Sequence, residues 1–146
     1  MINNRSVPTN IILPHIVYQN VPEAIAWLKR AFGFSVHYTY GDPVNGAQMF
    51  LNEAWIMVRQ ARAAQASPSS LGFGTQSLTI FVEDVEGQLS RARTAGARII
   101  EDLNETMYGE LQFGVEDLDG HHWLFSRHTH DVDPGEWGAT VVTKKF

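Results

Sequence analysis

The sequence predicts an α+β protein made of two βαβββ modules whose curved, mixed sheets surround a groove. The first observation is that each half of the chain holds one extended segment, one amphipathic helix and then three extended segments. The second is that both helices end at a glycine, Gly33 and Gly96, and a period of about 60 residues indicates a duplicated module. A sheet that packs one face on a helix leaves its other face free, and we expect function there.

The first module is predicted from about residue 11 to residue 60. Its first strand covers Ile11–Gln19, where Pro14 is tolerated at a sheet edge or a bulge. Asn20 can cap the helix that follows, and the apolar stripe of this helix consists of Ala24, Ile25, Leu28, Ala31 and Phe32. Turn-like residues then separate three extended segments, which are Phe34–Tyr40, Ala47–Leu51 and Trp55–Gln60.

The second module is predicted from about residue 76 to residue 128, between a polar linker at 61–75 and a tail at 129–146. Strand Ser77–Val82 precedes a helix that Asp84 can cap. The three extended segments after this helix are Arg98–Leu103, Glu110–Glu116 and His122–Arg127. Residues 1–146 together are expected to form one domain, because a chain of this size buries enough surface to fold without staples.

The composition excludes several classes of protein. The formal net charge is −5 and the few basic residues are scattered, so the chain offers no basic face to nucleic acid. The absence of cysteine excludes disulfides, thiolate nucleophiles and zinc–thiolate sites. No apolar run reaches membrane-spanning length and the N-terminus lacks the core of a signal peptide, so we expect a cytoplasmic protein without membrane contact.

Four short runs, ordered along the duplicated chain, resemble the glyoxalase/bleomycin-resistance/dioxygenase superfamily, which is also called the vicinal oxygen chelate superfamily. They are Leu13–Ile16, Ser77–Val85, Met107–Glu110 and Glu116–Trp123. The likeness covers roughly Ile11 to His130 and extends to a bacterial, bleomycin-resistance-like subgroup. In that subgroup Pro-Phe stands where this chain has Leu118-Asp119, which is a mild departure. The resemblance implies the two-module fold around a groove, and a homodimer.

In metal-dependent members of the superfamily, the first and last strands of each module supply ligands to a divalent ion. Carried over by resemblance, these positions fall on His15, Met57, Ser77 and Leu124. Among these side chains, only the imidazole of His15 binds such an ion with useful strength. The resemblance therefore implies a protein without a metal cofactor, and a divalent metal is the alternative.

Strand alternation predicts two sets of side chains once a register is assumed. The set under the helices is Ile56, Val58, Leu78, Ile80, Val82, Trp123 and Phe125. The set that lines the groove is His15, Trp55, Met57, Arg59, Ser77, Thr79, His122, Leu124 and Ser126, with His37 as a further candidate and Glu110 at the mouth.

This lining suits a flat aromatic or amphipathic organic molecule. Trp55 would stack on a ring, and Arg59 or His15 would fix an anionic or carbonyl end. Two alternatives stay open at this point. Trp55 and Met57 also suit a collapsed core or a dimer interface, and Glu110 also suits the surface of a hairpin.

Three functions follow from these observations. The first is a homodimeric binding protein that sequesters a planar or amphipathic organic compound without performing chemistry on it. The second is an enzyme, a metal-dependent glyoxalase-like lyase or isomerase or a dioxygenase, which uses His15 with an acid such as Glu110. The third is a structural or interaction module whose groove is filled. The sequence favours the first function and leaves the identity of the ligand open.

Overall fold

The computed structural model describes residues 2, 4–6, 8 and 12–145. The first module consists of β1 (His15–Tyr18), α1 (Val21–Phe32), β2 (Ser35–Tyr40), β3 (Gly46–Leu51) and β4 (Ala54–Gln60). After a short helix α2 (Pro68–Leu71), the second consists of β5 (Ser77–Phe81), α3 (Val85–Thr94), β6 (Arg98–Glu105), β7 (Glu110–Glu116) and β8 (His122–His128). A 3₁₀ turn at Pro134–Trp137 follows.

The two modules form two four-stranded sheets of the same topology, ordered β1-β4-β3-β2 and β5-β8-β7-β6. In each sheet the first and last strands of the module pair in parallel, and the other neighbours are antiparallel. The predicted fold class, two βαβββ modules with mixed sheets, is therefore confirmed. Among the described residues, none of the helices combines the length and apolarity needed to cross a membrane.

The strand boundaries differ from the sequence prediction at a few places. β1 begins at His15, after Pro14, whose carbonyl accepts the amide N–H of Met57 at 2.8 Å; Ile11 lies outside the described residues. β6 continues to Glu105 rather than ending at Leu103. The linker at 61–75 contains α2, which the prediction missed because a helix of four residues carries no periodic pattern.

Both long helices begin at a residue whose side chain accepts a hydrogen bond from a free backbone N–H group of the first turn. Asn20 accepts the backbone N–H of Glu23, and Asp84 accepts that of Gly87. α1 ends at Gly33, which adopts the left-handed conformation with φ 84°. In α3 the last cap is Ala95, and Gly96 follows it with φ 80°. The predicted caps at the starts of the helices are confirmed, and the second end lies one residue earlier than expected.

A single hydrophobic core joins the two modules. Ile56, Val58, Ile80, Trp123 and Phe125 are buried as predicted, and Leu78 and Val82 pack against them in part. The ring of Phe32, at the end of α1, contacts Trp123 and Phe125 of the second sheet edge-to-face, with centroids 5.5 and 5.0 Å apart. Because the helix-facing side of each sheet contributes to this one core, the opposite side of each sheet points outward. We call these the outer faces.

A buried carboxylate ties the two modules together at the end of β1. Asp117 accepts the hydroxyl of Tyr18 at 2.6 Å and the indole N–H of Trp123 at 3.1 Å. Its other oxygen accepts the backbone N–H groups of Asp119 and His121, both at 3.0 Å. Burial raises the pKa of the Asp117 carboxyl, although His121 and the donors lower it. Burial next to Asp117 also raises the pKa of Tyr18.

Asp117→Asn is expected to lower the free energy of unfolding by about 2–4 kcal/mol, because one amide oxygen replaces two acceptors and an NH₂ group faces donors. Urea unfolding followed by circular dichroism measures this loss. The matched control is Asp102→Asn, whose carboxylate is 84% exposed in a surface ion pair with Arg93 and should leave the midpoint unchanged. Equal losses in the two variants would contradict the proposed junction.

Candidate functional site

The outer face of the first sheet is rich in aromatic side chains. Strand pairing places Trp55 opposite Phe50, Met57 opposite Gln48, and Tyr40 opposite Gly46. These residues alternate with the buried residues of β3 and β4, so their side chains point away from the core. We call the surface formed by His37, Tyr38, Tyr40, Gln48, Phe50, Trp55, Met57 and Arg59 the aromatic face.

Rings pack in a row along one part of the aromatic face. Trp55 stacks on Phe50 with centroids 4.7 Å apart and an angle of 29° between the planes. His37 meets Trp55 edge-to-face at 5.5 Å, and Tyr38 lies 5.1 Å from His37. Trp55, which the sequence suggested as a stacking platform for a ligand, is thus stacked on a ring of its own chain.

A buried amide lies at the centre of the aromatic face. The side chain of Gln48 is fully buried although it points outward. Its Oε1 lies 2.6 Å from Nδ1 of His37, and its Nε2 donates to the backbone carbonyl of Ser6 at 2.9 Å. The hydroxyl of Tyr38 donates to the same carbonyl at 3.2 Å. The backbone at Ser6 therefore lies on the aromatic face, which explains why Gln48 and Met57 are buried.

Arg59 holds an unused donor at the other part of the aromatic face. Its Nη1 donates to Oε1 of Gln65 at 2.9 Å. Its Nε is buried and has no hydrogen-bond partner among the described residues. A cavity of about 260 Å³ lies beside it, lined in part by Tyr40, Asn45 and Arg62. A buried N–H group without a partner is costly, and a ligand oxygen is one way to satisfy it.

The outer face of the second sheet has smaller and more polar side chains. Ser77 pairs with His122, and Thr79 pairs with Leu124. Nε2 of His122 lies 3.4 Å from the carboxylate of Glu116. Thr79 and its neighbours also line an open cavity of about 1000 Å³ between β5 and the β3–β4 turn. This face carries hydroxyl, imidazole and carboxylate groups together with the apolar side chains of Leu124 and the exposed Phe81.

Glu110 lies at the far end of the second outer face. Its carboxylate is only 15% exposed, and one oxygen lies 3.3 Å from Nδ1 of His128. The other oxygen is 3.5 Å from the hydroxyl of the buried Ser126. Glu110 directly follows the β6–β7 hairpin turn, and its two contacts hold the carboxylate in place.

The predicted site residues fall into two groups rather than one cluster. His15, Trp55, Met57 and Arg59 lie on the first sheet. Ser77, Thr79, Glu110, His122 and Leu124 lie on the second. Sequence reasoning missed Gln48 and Tyr38. Gln48 alternates with the core residues Ala47 and Met49 of β3, whereas Tyr38 reaches the same face only because a bulge between Val36 and Tyr38 reverses the alternation of β2.

The internal symmetry of the fold changes one assignment that the resemblance suggested. Counting back from the capping residues Asn20 and Asp84 matches His15 with Thr79, and strand pairing agrees, since His15 lies opposite Met57 and Thr79 opposite Leu124. Ser77 corresponds instead to Leu13. The set of His15, Met57, Ser77 and Leu124 thus mixes two registers, and a consistent set contains at most one imidazole.

The donor groups present do not fit the divalent metal of the superfamily. Among the described residues, no three histidine, aspartate or glutamate side chains converge on a common point. The closest approaches are pairs, namely His122 with Glu116, His128 with Glu110, and His130 with Glu105. A catalytic zinc site takes three protein ligands, so a pair within one chain is insufficient.

Comparison with known proteins agrees with the fold. The sequence profile of the Glyoxalase/Bleomycin resistance protein/Dioxygenase superfamily matches residues 11–125. The chain belongs to this superfamily. An uncharacterised protein of Mycobacterium bovis is 26% identical, and the match covers 90% of this chain and 91% of that protein.

Solved structures of the superfamily superpose over most of the chain. The crystal structure of TioX from Micromonospora sp. ML1 gives a TM-score of 0.68 at 25% identity, covering 85% of this chain and 100% of TioX. The fosfomycin resistance protein FosX from Listeria monocytogenes gives 0.63 at 12% identity, covering 84% of this chain and 96% of FosX. The second likeness is one of fold alone.

Gly46 provides the flat surface on which the ring of Tyr40 lies, because a Cβ at position 46 would overlap that ring. Gly46→Ala is expected to lower the free energy of unfolding by about 1 kcal/mol, since the ring is 41% exposed and can swing outward. Gly74→Ala is the control, as a Cβ there meets only Pro68 at 3.8 Å. In a Tyr40→Ala background, Gly46→Ala should cost nothing, and a persistent loss in urea unfolding would refute this packing.

Proposed function

We propose that this protein sequesters a planar or amphipathic organic compound on its outer faces, without a metal and as a homodimer. The aromatic face is the observation that carries the proposal. It combines the rings of Trp55 and Phe50 and the thioether of Met57 with a buried, unpaired N–H of Arg59. Small-molecule sites typically combine such apolar and aromatic walls with a few fixed polar groups.

The chemistry of this face favours a flat ligand with one polar end. Flat rings gain most from stacking and edge-to-face contacts with Trp55 and the tyrosines. The guanidinium of Arg59 would take an oxygen of the ligand, because a planar cation with a free N–H recognises carboxylate or carbonyl groups. The aromatic face has few polar groups, so affinity would come mainly from the burial of ring surface.

A second chain would complete the groove. Because both helix-facing sides share one core, the two outer faces of one chain point away from each other. A groove with a sheet on both sides therefore needs a face from another copy, as a two-fold homodimer supplies. The small side chains of the second outer face, such as Ser77 and Thr79, would leave room opposite the large rings. We expect this assembly to act in the cytoplasm.

One observation favours the enzyme alternative. His122 and Glu116 are 3.4 Å apart on the second outer face, and a dimer would bring further groups of the partner close to them. A metal-dependent glyoxalase-like lyase or dioxygenase would need these two side chains together with donors from the other chain. The filled-groove alternative is favoured by the backbone of Ser6 on the aromatic face.

Titration with planar aromatic acids and ketones should quench tryptophan fluorescence to saturation, and Trp55→Ala should weaken the affinity about tenfold or more because a stacking anchor is lost. Trp137→Ala is the matched control, because this exposed indole packs on Tyr108 outside both outer faces. Light scattering of the same samples should give the mass of a dimer. A monomer, or equal effects of the two substitutions, would count against the proposal.

Protein purified without chelators is expected to hold less than about 0.1 equivalents of zinc, nickel, iron or manganese, because the described donors form only pairs. Elemental analysis measures this content, and EDTA should leave ligand binding unchanged. The comparison variant is His122→Ala, which should hold as little metal as the parent protein. One metal per chain that is lost in His122→Ala, together with turnover of methylglyoxal and glutathione, would establish the enzyme alternative instead.

A further inference from the structure

We propose that Gln48 and Tyr38 form a carbonyl-binding subsite on the aromatic face, and that the backbone carbonyl of Ser6 occupies this subsite until a ligand carbonyl replaces it. The inference deepens the proposed function and rests on it, because it adds a neutral carbonyl group of the ligand to the oxygen that Arg59 would take. The class of ligand is an aromatic compound that bears a neutral ketone or amide carbonyl next to its ring system.

Two donors converge on one oxygen at this subsite. Nε2 of Gln48 lies 2.9 Å from the carbonyl oxygen of Ser6, and the hydroxyl of Tyr38 lies 3.2 Å from it. A carbonyl oxygen has two lone pairs, so two donors satisfy it fully. Both donors are neutral, and such donors suit a neutral carbonyl, whereas carboxylates are usually matched by charged partners.

A contact with His37 fixes the orientation of the Gln48 amide. Its Oε1 lies 2.6 Å from Nδ1 of His37, and this oxygen can only accept, so Nδ1 carries the proton in that contact. With Oε1 engaged by the imidazole, the NH₂ group is left to point towards the outer face. Gln48 is completely buried beneath Ser6, and a buried amide without a partner is costly, so the Ser6 carbonyl is the acceptor that the NH₂ group requires in the ligand-free protein.

Ser6 is suited to being displaced. Its side chain is exposed, and its own N–H is satisfied locally by Oδ1 of Asn4 at 3.0 Å. When a ligand carbonyl takes the place of the Ser6 carbonyl, both donors keep an acceptor and the Ser6 carbonyl is hydrated by water. The exchange therefore conserves hydrogen bonds, and ring burial supplies the net gain in free energy.

The surroundings of the subsite determine where the rest of the ligand lies. Sδ of Met57 is 3.5 Å from Nε2 of Gln48 and 3.9 Å from the hydroxyl of Tyr38. Trp55 and Phe50 follow along the same face. A carbonyl held by the two donors would thus place its attached ring over the polarizable thioether of Met57 and towards the stacked rings.

A spin label at position 5 tests the inference in the full chain. Because the chain lacks cysteine, Arg5→Cys gives one attachment site, and residue 5 is exposed next to Ser6. In ligand-free protein, Gln48→Leu and the milder Tyr38→Phe should each sharpen the electron paramagnetic resonance spectrum, because Ser6 loses a donor. A label on Asp102→Cys in the second sheet is the control and should not respond. Unchanged spectra in both folded variants would show that the subsite does not hold Ser6.

Two matched probes then separate the subsite from the proposed function. 2-Acetylnaphthalene carries a carbonyl and 2-ethylnaphthalene does not, and tryptophan fluorescence reports the binding of either. We expect the ketone to bind at least about tenfold more tightly, a difference that Gln48→Leu abolishes, and to mobilise the label at position 5. Equal affinities with an immobile label would overturn the subsite while the proposed function stands. Binding of neither probe would overturn the proposed function, and the ligand role of the subsite with it.

Discussion

The buried carboxylate of Asp117 is the interaction on which the arrangement of the two modules depends. It joins a hydroxyl from β1 of the first module to an indole and a turn of the second. Once the end of β1 is fixed there, Phe32 of α1 packs on the rings under the second sheet. The two sheets then share one core, so their outer faces point away from each other. A single chain therefore does not enclose a groove between these faces.

The sequence run that carries the family resemblance serves this junction. Within Glu116–Trp123, Asp117 gathers four donors, Asp119 accepts the backbone N–H of Gln19 at 2.7 Å, and His121 contacts the carbonyl of Val17 at 2.7 Å. Through these contacts the turn holds the modules together and leaves the outer faces free to carry the chemistry. A motif of this kind identifies the fold, whereas the chemistry of the protein depends on the side chains of the outer faces.

Local patterns predicted the elements well, because helix caps at Asn20 and Asp84 and alternation along β4 and β8 depend on nearby residues. The pairing of strands that are distant in the sequence was harder to predict. The match of His15 with Thr79 rather than Ser77 depends on how β1 and β5 pair with strands some 40 residues later. A shift of this pairing by two residues keeps each side chain on the same face of the sheet, so the alternation of apolar and polar residues does not reveal it. Likewise, Gln48 reads as an ordinary polar residue of a half-exposed strand until the contact with Ser6, far away in the sequence, is known.

The two outer faces differ in a way that bears on how copies would assemble. The first has a row of packed rings, and the second combines the hydroxyls of Ser77 and Thr79 with the exposed ring of Phe81. If two aromatic faces met on a two-fold axis, their large rings would crowd each other. Pairing the aromatic face of one chain with the second outer face of its partner instead gives two identical grooves, each with a stacking wall and a polar wall. That arrangement suits a flat ligand with polar oxygens, because the aromatic face supplies both the stacking rings and the donors of Arg59 and Gln48, and the second outer face of the partner covers the other side of the molecule.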